Sequence, residues 1–195
     1  LRDMTDSNVF YHVVYALIIG RVLVIESSDR LKGRICASKL SLFISHFDTS
    51  QYAEFDTRVD AATLNQYTLV NAIEAERGPF SKFAYLNLDY KYFEGTLCPS
   101  NSILFNILKA PFPQAESVFL LLALTRIKQL ECSMIRGVTN WYSDIPKDNA
   151  EVMARFNSMN LMQEDTFIFH NWIESKPQDI SPAGDGLIPY FDSDA

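Results

Sequence analysis

The chain has 195 residues, 48% of them apolar, enough for one compact domain or two small ones around a substantial core. Its net charge of −7, from 17 Lys and Arg against 24 Asp and Glu, argues against a nucleic-acid binder, which needs a concentrated basic face to displace counterions. Cys36, Cys98 and Cys132 are odd in number and far apart, so neither a disulfide framework nor a structural zinc site is expected, and each reads as a small core hydrophobe of a reduced, cytoplasmic protein.

No positively charged leader or small-residue cleavage site follows Leu1, so the chain reads as a fragment of something longer. Its longest apolar stretch, Val9 to Ile25, is interrupted by His12, Gly20 and Arg21, whereas a membrane-spanning helix needs about 20 consecutive apolar residues. The stretch reads instead as a helix and a strand. Ser7 is a candidate N-cap, and Val9, Phe10, Val13, Val14, Leu17 and Ile18 recur at helical spacing. Tyr11, Tyr15 and Ile19 widen that stripe until the helix must be almost wholly buried. Gly20 suits the left-handed position that ends a helix, and Val22 to Ile25 form a strand covered on both faces. Arg21 is expected to satisfy carbonyls at the end of the first helix; a role as an arginine finger is the alternative.

Ser27, Ser28 and Asp29 offer capping oxygens to a second helix whose inward residues are Cys36, Leu40, Phe43 and Phe47. The basic cluster Arg30, Lys32 and Arg34 is its solvated face, with an anion or lipid contact as the alternative. Gln51 to Phe55 is a candidate strand, and Leu64 to Ile73 is strand or helix. Phe83 to Leu88 and Thr96 to Cys98 are predicted strands joined by an aromatic turn, with Asp89 and Glu94 as solvated decoration. Pro99-Ser100-Asn101 opens a helix that stops at Ala110 before Pro111. The longest helix runs from Gln114 to Trp141, and its start, Val118 to Leu124, is apolar all round and so expected at the centre of the core. After the linker Asp144 to Asp148, a short helix carries Val152, Met153 and Phe156, and a last one carries Ile168, Phe169, Trp172 and Ile173. Pro, Gly, Ser and Asp dominate from Pro177, giving a flexible acidic tail. The expected architecture is an α/β layer over residues 1–112, an all-helical subdomain over 113–176, and the tail over 177–195.

The sequence has no nucleophile elbow, no Walker loop and no Gly-x-Gly-x-x-Gly after the first strand. That strand ends in Glu26-Ser27-Ser28-Asp29, whose carboxylates would repel a phosphate at the following helix N-terminus. His46 and Asp48, joined by His12 or Glu54, are the one combination able to build a metal or acid-base cluster; the alternative is a cap and a turn. His170 beside Trp172 reads as a side chain at a packed edge, since no acid or nucleophile stands ready to orient it.

The order of elements, with the phrases Tyr15-Ala16-Leu17-Ile18-Ile19-Gly20-Arg21-Val22-Leu23-Val24-Ile25 and Leu88-Asp89-Tyr90 followed by Glu94-Gly95-Thr96-Leu97, resembles the C-terminal DENN region of the folliculin and Smith-Magenis-region proteins. The closing elements, Glu164-Asp165 and a helix carrying Trp172, look like the end of folliculin, while the two phrases lean toward the Smith-Magenis-region branch. The resemblance covers roughly residues 8–175 and is a pattern of elements and short phrases, without a catalytic signature. It implies a DENN-type α/β layer followed by a helical subdomain, acting as a non-catalytic dimerisation scaffold in a regulator of small GTPases. The implied partners are another longin-DENN protein and a GTPase of Rab, Arf or Rag type, with no nucleic acid and no cofactor. The implied setting is the cytoplasm, with recruitment to lysosomal or autophagic membranes in nutrient signalling and membrane traffic. The family's GTPase-activating arginine belongs to the longin domain, so no residue here inherits it. Trp141, Phe167, Phe169 and Trp172 are candidates for the partner interface, each with an intramolecular core role as the alternative. The rival functions are an α/β enzyme assembled from scattered residues such as His46, Asp48 and Glu54, and direct nucleotide exchange on a Rab GTPase.

Overall fold

A β-branched run with no polar alternation is stable only where both faces are covered, and Val22–Glu26 (β1) obtains that cover at the centre of a sheet. The computed structural model describes residues 9–44, 48–109 and 116–139, together with Ala150, Glu151, Ala154, Asp165 and Ile168. Within them β1 lies in a five-stranded sheet with Tyr52–Phe55 (β2), Leu69–Ala72 (β3), Phe83–Asn87 (β4) and Tyr92–Glu94 (β5), in the order β2-β3-β1-β4-β5. The first four run parallel, Val24 standing beside Val70 on one side and Tyr85 on the other; β5 alone is antiparallel, pairing with β4. The chain is therefore of the α/β class.

Val9–Ile18 (α1) buries eight of its ten residues, so its wide apolar face is used almost all round. Gly20 adopts φ 73°, and the Gly20 and Arg21 N–H groups close on the carbonyls of Leu17 and Ala16, ending the helix with a left-handed cap. Arg30–Leu40 (α2) starts at Asp29, whose carboxylate accepts from the Lys32 N–H at 3.1 Å. It is shorter than the sequence pattern suggests. The helix gives way to a 3-10 turn over Ser41–Phe43, the Ser41 hydroxyl donates back to the Ser38 carbonyl, and Ile44 is extended. Phe43 still points inward; Phe47 lies outside the described residues.

The ambiguous stretch resolves into Ala61–Leu64 (α3), one turn capped by Asp60, and then β3. Asn87 Oδ1 accepts from the N–H groups of Asp89 and Tyr90, and Lys91 takes φ 55°, so the tight turn falls before the aromatic run. Tyr90 lies in that turn while Tyr92 and Phe93 belong to strand β5, and Thr96 to Cys98 are not a strand. Ser102 Oγ caps Ile103–Lys109 (α4) through the Phe105 N–H, while the Asp165 carboxylate takes the Ile103 N–H.

Glu116–Thr139 (α5) keeps its helical period inward through Phe119, Ala123, Ile127 and Leu130. Its start is not central to the core, however: Val118 and Leu121 are 42% and 66% exposed, because the helix packs along one side only. The expected subdomain boundary at residues 112 and 113 and the tail after Pro177 lie outside the described residues, and beyond Thr139 only Ala150, Glu151, Ala154, Asp165 and Ile168 are described, all helical, with Ile168 buried.

Alternation along the strands divides the interior. Leu23, Ile25, Leu69, Ala84 and Leu86 face α1, α2, α4 and α5, while Val24, Val70, Phe83 and Tyr85 face a smaller core with Val59 and Leu64. Gly33 lets α2 close on the sheet over the buried Asn71, whose side chain a β-carbon at Gly33 would strike. Asn71 donates to the Arg30 carbonyl at 3.3 Å. In an ordinary helix Gly→Ala gains about 1 kcal/mol of propensity. Here overpacking reverses the sign, and Gly33→Ala is expected to cost about 1 to 2 kcal/mol in urea denaturation. In an Asn71→Ala background the same change should stabilise.

Candidate functional site

Open α/β sheets bind ligands in the crevice at the carboxyl ends of their strands, where neighbouring connections leave in opposite directions. Here β1 leads away toward β2 and β4 toward β5, which puts that crevice between the ends of β1 and β4. The protein's own carboxylates occupy it. Asp89, just after β4, accepts from the backbone N–H of Ser28 at 2.7 Å and from the Ser27 hydroxyl at 3.3 Å. Ser27 Oγ in turn accepts from the Asp29 N–H at 3.2 Å, and Asp29 caps α2. These contacts hold Asp89 ionised below the usual carboxylate range, the Ser28 N–H bond contributing most. Asp89 thus takes the backbone donor at the strand-to-helix turn, the kind of position where nucleotide-binding α/β proteins hold a phosphate. Asp89 is exposed, as the sequence reading expected, but its carboxylate also ties the hairpin to the turn between β1 and α2.

Beside it lies a second network. Glu26 is buried at the end of β1, and Arg77 grips both its oxygens at 2.5 and 2.8 Å. The Ala75 N–H donates to the same carboxylate at 3.1 Å. Arg77 also donates to Glu94 at 2.7 Å and stacks over the Tyr85 ring at 4.3 Å, so Glu94 too is a structural partner. The Tyr85 hydroxyl accepts from the Gly78 N–H and donates to the Glu76 carbonyl, and burial pushes its acidity down. Glu26 raises the pKa of Arg77, which stays a permanent cation.

A third cluster stands at the β2 edge. Glu54 receives Arg34 at 2.7 Å through each oxygen, Arg30 at 3.3 Å and the Tyr52 hydroxyl at 2.5 Å. Arg34 above all holds the Glu54 carboxyl down at about 2. The basic cluster of α2 is therefore largely paired: Arg30 and Arg34 serve Glu54, with Arg30 also reaching Asp56, and Lys32 donates to the Leu88 carbonyl at 3.1 Å.

Of the scattered acid-base set, the described members His12, Asp48 and Glu54 each have separate partners. His12 accepts the Cys98 N–H at Nδ1 (2.9 Å) and stacks on Phe93, and burial lowers its pKa. Asp48 caps the 3-10 turn Thr49–Gln51 through the Ser50 N–H, as the cap reading expected, and Glu54 is in its ion pairs. His46, His170, Trp141, Phe167, Phe169 and Trp172 lie outside the described residues. Among the described residues, no group of three His, Cys, Asp or Glu side chains could hold a metal ion, and no helix is long and apolar enough to cross a membrane. Cys36 and Cys98 are buried as expected, burial pushing the Cys98 thiol up to about 11, but Cys132 is exposed rather than part of the core. Arg21 Nε is buried without a hydrogen-bond partner, and among the described residues no bond from Arg21 to a helix carbonyl is seen. Sequence reasoning missed the couplings of Glu26 with Arg77 and of Ser28 with Asp89, which join residues 51 and 61 positions apart.

No protein-family model matches this chain, and no curated protein matches it.

Removing Arg77 strands a buried carboxylate, so Arg77→Met should cost on the order of 3 kcal/mol in chemical denaturation. For Glu54 the folded pKa of about 2 lies below the usual 4.5, so its contribution is full above the usual value and fades as pH falls through about 2. Glu54→Gln should cost about 1 to 2 kcal/mol at pH 7, discounted because both arginines are more than half exposed, and the gap to wild type should close on acidification.

Proposed function

We propose that this chain is a DENN-type docking and dimerisation module of a small-GTPase regulator. Its partners on this reading are another longin-DENN protein and, through that complex, a GTPase of Rab, Arf or Rag type. The complex works in the cytoplasm and is recruited to lysosomal or autophagic membranes.

The observation that carries the reading is the apolar surface left on the outer sides of two helices. On α2, Leu31 and Ile35 stand one turn apart at 63% and 47% exposure while Cys36, Ala37 and Leu40 fill the core from the opposite side. On α5, Val118 and Leu121 form a second such face. Contiguous exposed apolar side chains of this kind mark protein contact surfaces. The strand-end crevice adds support, since its backbone donor is committed to Asp89 and a nucleotide would have to displace that carboxylate.

The full chain mixed with longin-DENN proteins should form a stable heterodimer by light scattering. Leu121→Glu should weaken it at least tenfold with the circular dichroism spectrum unchanged. A monodisperse monomer with every longin-DENN protein offered would overturn the reading, and acceleration of GDP release from a Rab panel by this chain alone would replace it with direct exchange.

A further inference from the structure

The amino end of the sheet, opposite the crevice, carries two cations that no counter-charge meets. Arg21 follows the left-handed Gly20 and leads into β1, its N–H fixed on the Ala16 carbonyl at 2.9 Å. Lys82 closes the turn before β4, where its own N–H and that of Phe83 both donate to the Pro79 carbonyl. The Val22 N–H donates to the Lys82 carbonyl at 3.0 Å and Val22 stands beside Phe83 in the register, so Arg21 and Lys82 are neighbours one step back on adjoining chains. Their backbones lie about 5 Å apart, the spacing of neighbouring strands. Among the described residues, no carboxylate or carbonyl takes either side chain.

Such a pair is unfavourable by itself. Like charges at facing positions repel, and a buried donor without an acceptor forfeits its solvation, which is the state of Arg21 Nε. The end of α1 gives no relief, because the carbonyls of Tyr15, Ala16 and Leu17 already accept the N–H groups of Ile19, Arg21 and Gly20. Arg21 is half-buried and Nε is its one nitrogen shut in without a partner, so the terminal nitrogens of the guanidinium face solvent. An anion bound across Arg21 and Lys82 removes the repulsion and offsets the cost of holding the guanidinium there.

Charge and number narrow the ligand. A guanidinium edge takes phosphate oxygens in pairs, and an ammonium adds a point charge. A phosphate monoester carries close to two negative charges at pH 7 and so answers both cations, whereas a carboxylate answers one. Anionic membranes are read by clusters of about four to eight Lys and Arg, and this pair stands on a chain of net charge −7. Exposed ion pairs are individually weak, so a free phosphate gains little here. A phosphate carried on a polypeptide gains further contact from Phe80, 49% exposed in the same turn as Lys82. We propose that Arg21 and Lys82 bind the phosphate of a phosphorylated Ser or Thr side chain on a partner protein. The proposal rests on the docking-module reading for the choice of a polypeptide as carrier.

The probe is a pool of otherwise random peptides with one fixed phosphoserine or phosphothreonine, passed over the full chain beside matched pools carrying Ser or Glu at that position. The phosphorylated pool should be retained at least tenfold better than either. The best recovered phosphopeptide, labelled, should lose at least tenfold in affinity on Arg21→Met and on Lys82→Ala, while Lys82→Arg retains binding. Arg21→Met should keep or raise the urea midpoint, since it removes an orphaned donor, and Lys82→Ala, at an exposed position, should reproduce the loss of binding with the midpoint unchanged. Equal retention of the Ser or Glu pool, or phosphopeptides that bind the Lys82→Ala chain unchanged, overturns the assignment. So does binding of inorganic phosphate or of phosphatidylinositol phosphate vesicles through Arg21 and Lys82 while the phosphopeptides do not bind. A chain that pairs with a longin-DENN protein yet retains no phosphopeptide loses this site and keeps the module; the opposite pattern loses the module and keeps the site.

Discussion

The central strand must be enclosed on every side, and most of the fold follows from meeting that requirement. β1 has parallel neighbours on both edges and helices or loops over both faces, which uses the whole apolar run from Val22 to Ile25. Its last residue, Glu26, carries a carboxylate into the same enclosure. Burying that charge is unfavourable unless a cation and hydrogen-bond donors meet it, and Arg77 with the Ala75 N–H does so. Arg77 then fixes the path of the β3–β4 connection, clamps the Tyr85 ring and ties Glu94 of β5 to the sheet. One desolvated carboxylate thereby organises three strands, and the ion pair offsets the charge's desolvation more than it adds stability of its own.

The same logic accounts for where interaction surface remains. The crevice between β1 and β4 is committed to internal contacts of Asp89 and Asp29, and the β2 edge is covered by Glu54 with its arginines. A charged edge resists pairing with another strand. Apolar side chains meet solvent on the outer sides of α2 and α5, at Leu31, Ile35, Val118 and Leu121.

Local order was legible in the residues themselves. Apolar spacing located α1, β1 and α5, Gly20 marked the end of the first helix, and Asp29 marked the start of the second. The acidic run from Glu26 to Asp29 was legible too, but not that Arg77 neutralises Glu26 or that Asp89 arrives from across the sheet to take the Ser28 N–H. Where the reading slipped, tertiary placement or side-chain competition decided. Val118 and Leu121 are apolar on a helix that packs along one side, and Asn87 draws the hairpin turn forward so that Tyr92 and Phe93 become strand. Periodicity reports which residues resemble one another, not which distant partner will neutralise a charge, so Arg77 carried no local signal.

Asp89 is covalently tethered to the sheet it serves, and this sets its competitive strength. A side chain held in place presents itself at an effective concentration of millimolar order or above, whatever the surroundings contain. A free phosphate would have to outcompete a resident anion that dilution cannot remove, and would meet the neighbouring carboxylate of Asp29 as it did so. The strand-to-helix turn therefore works as a self-ligated position, its backbone donor held by a carboxylate encoded in the chain.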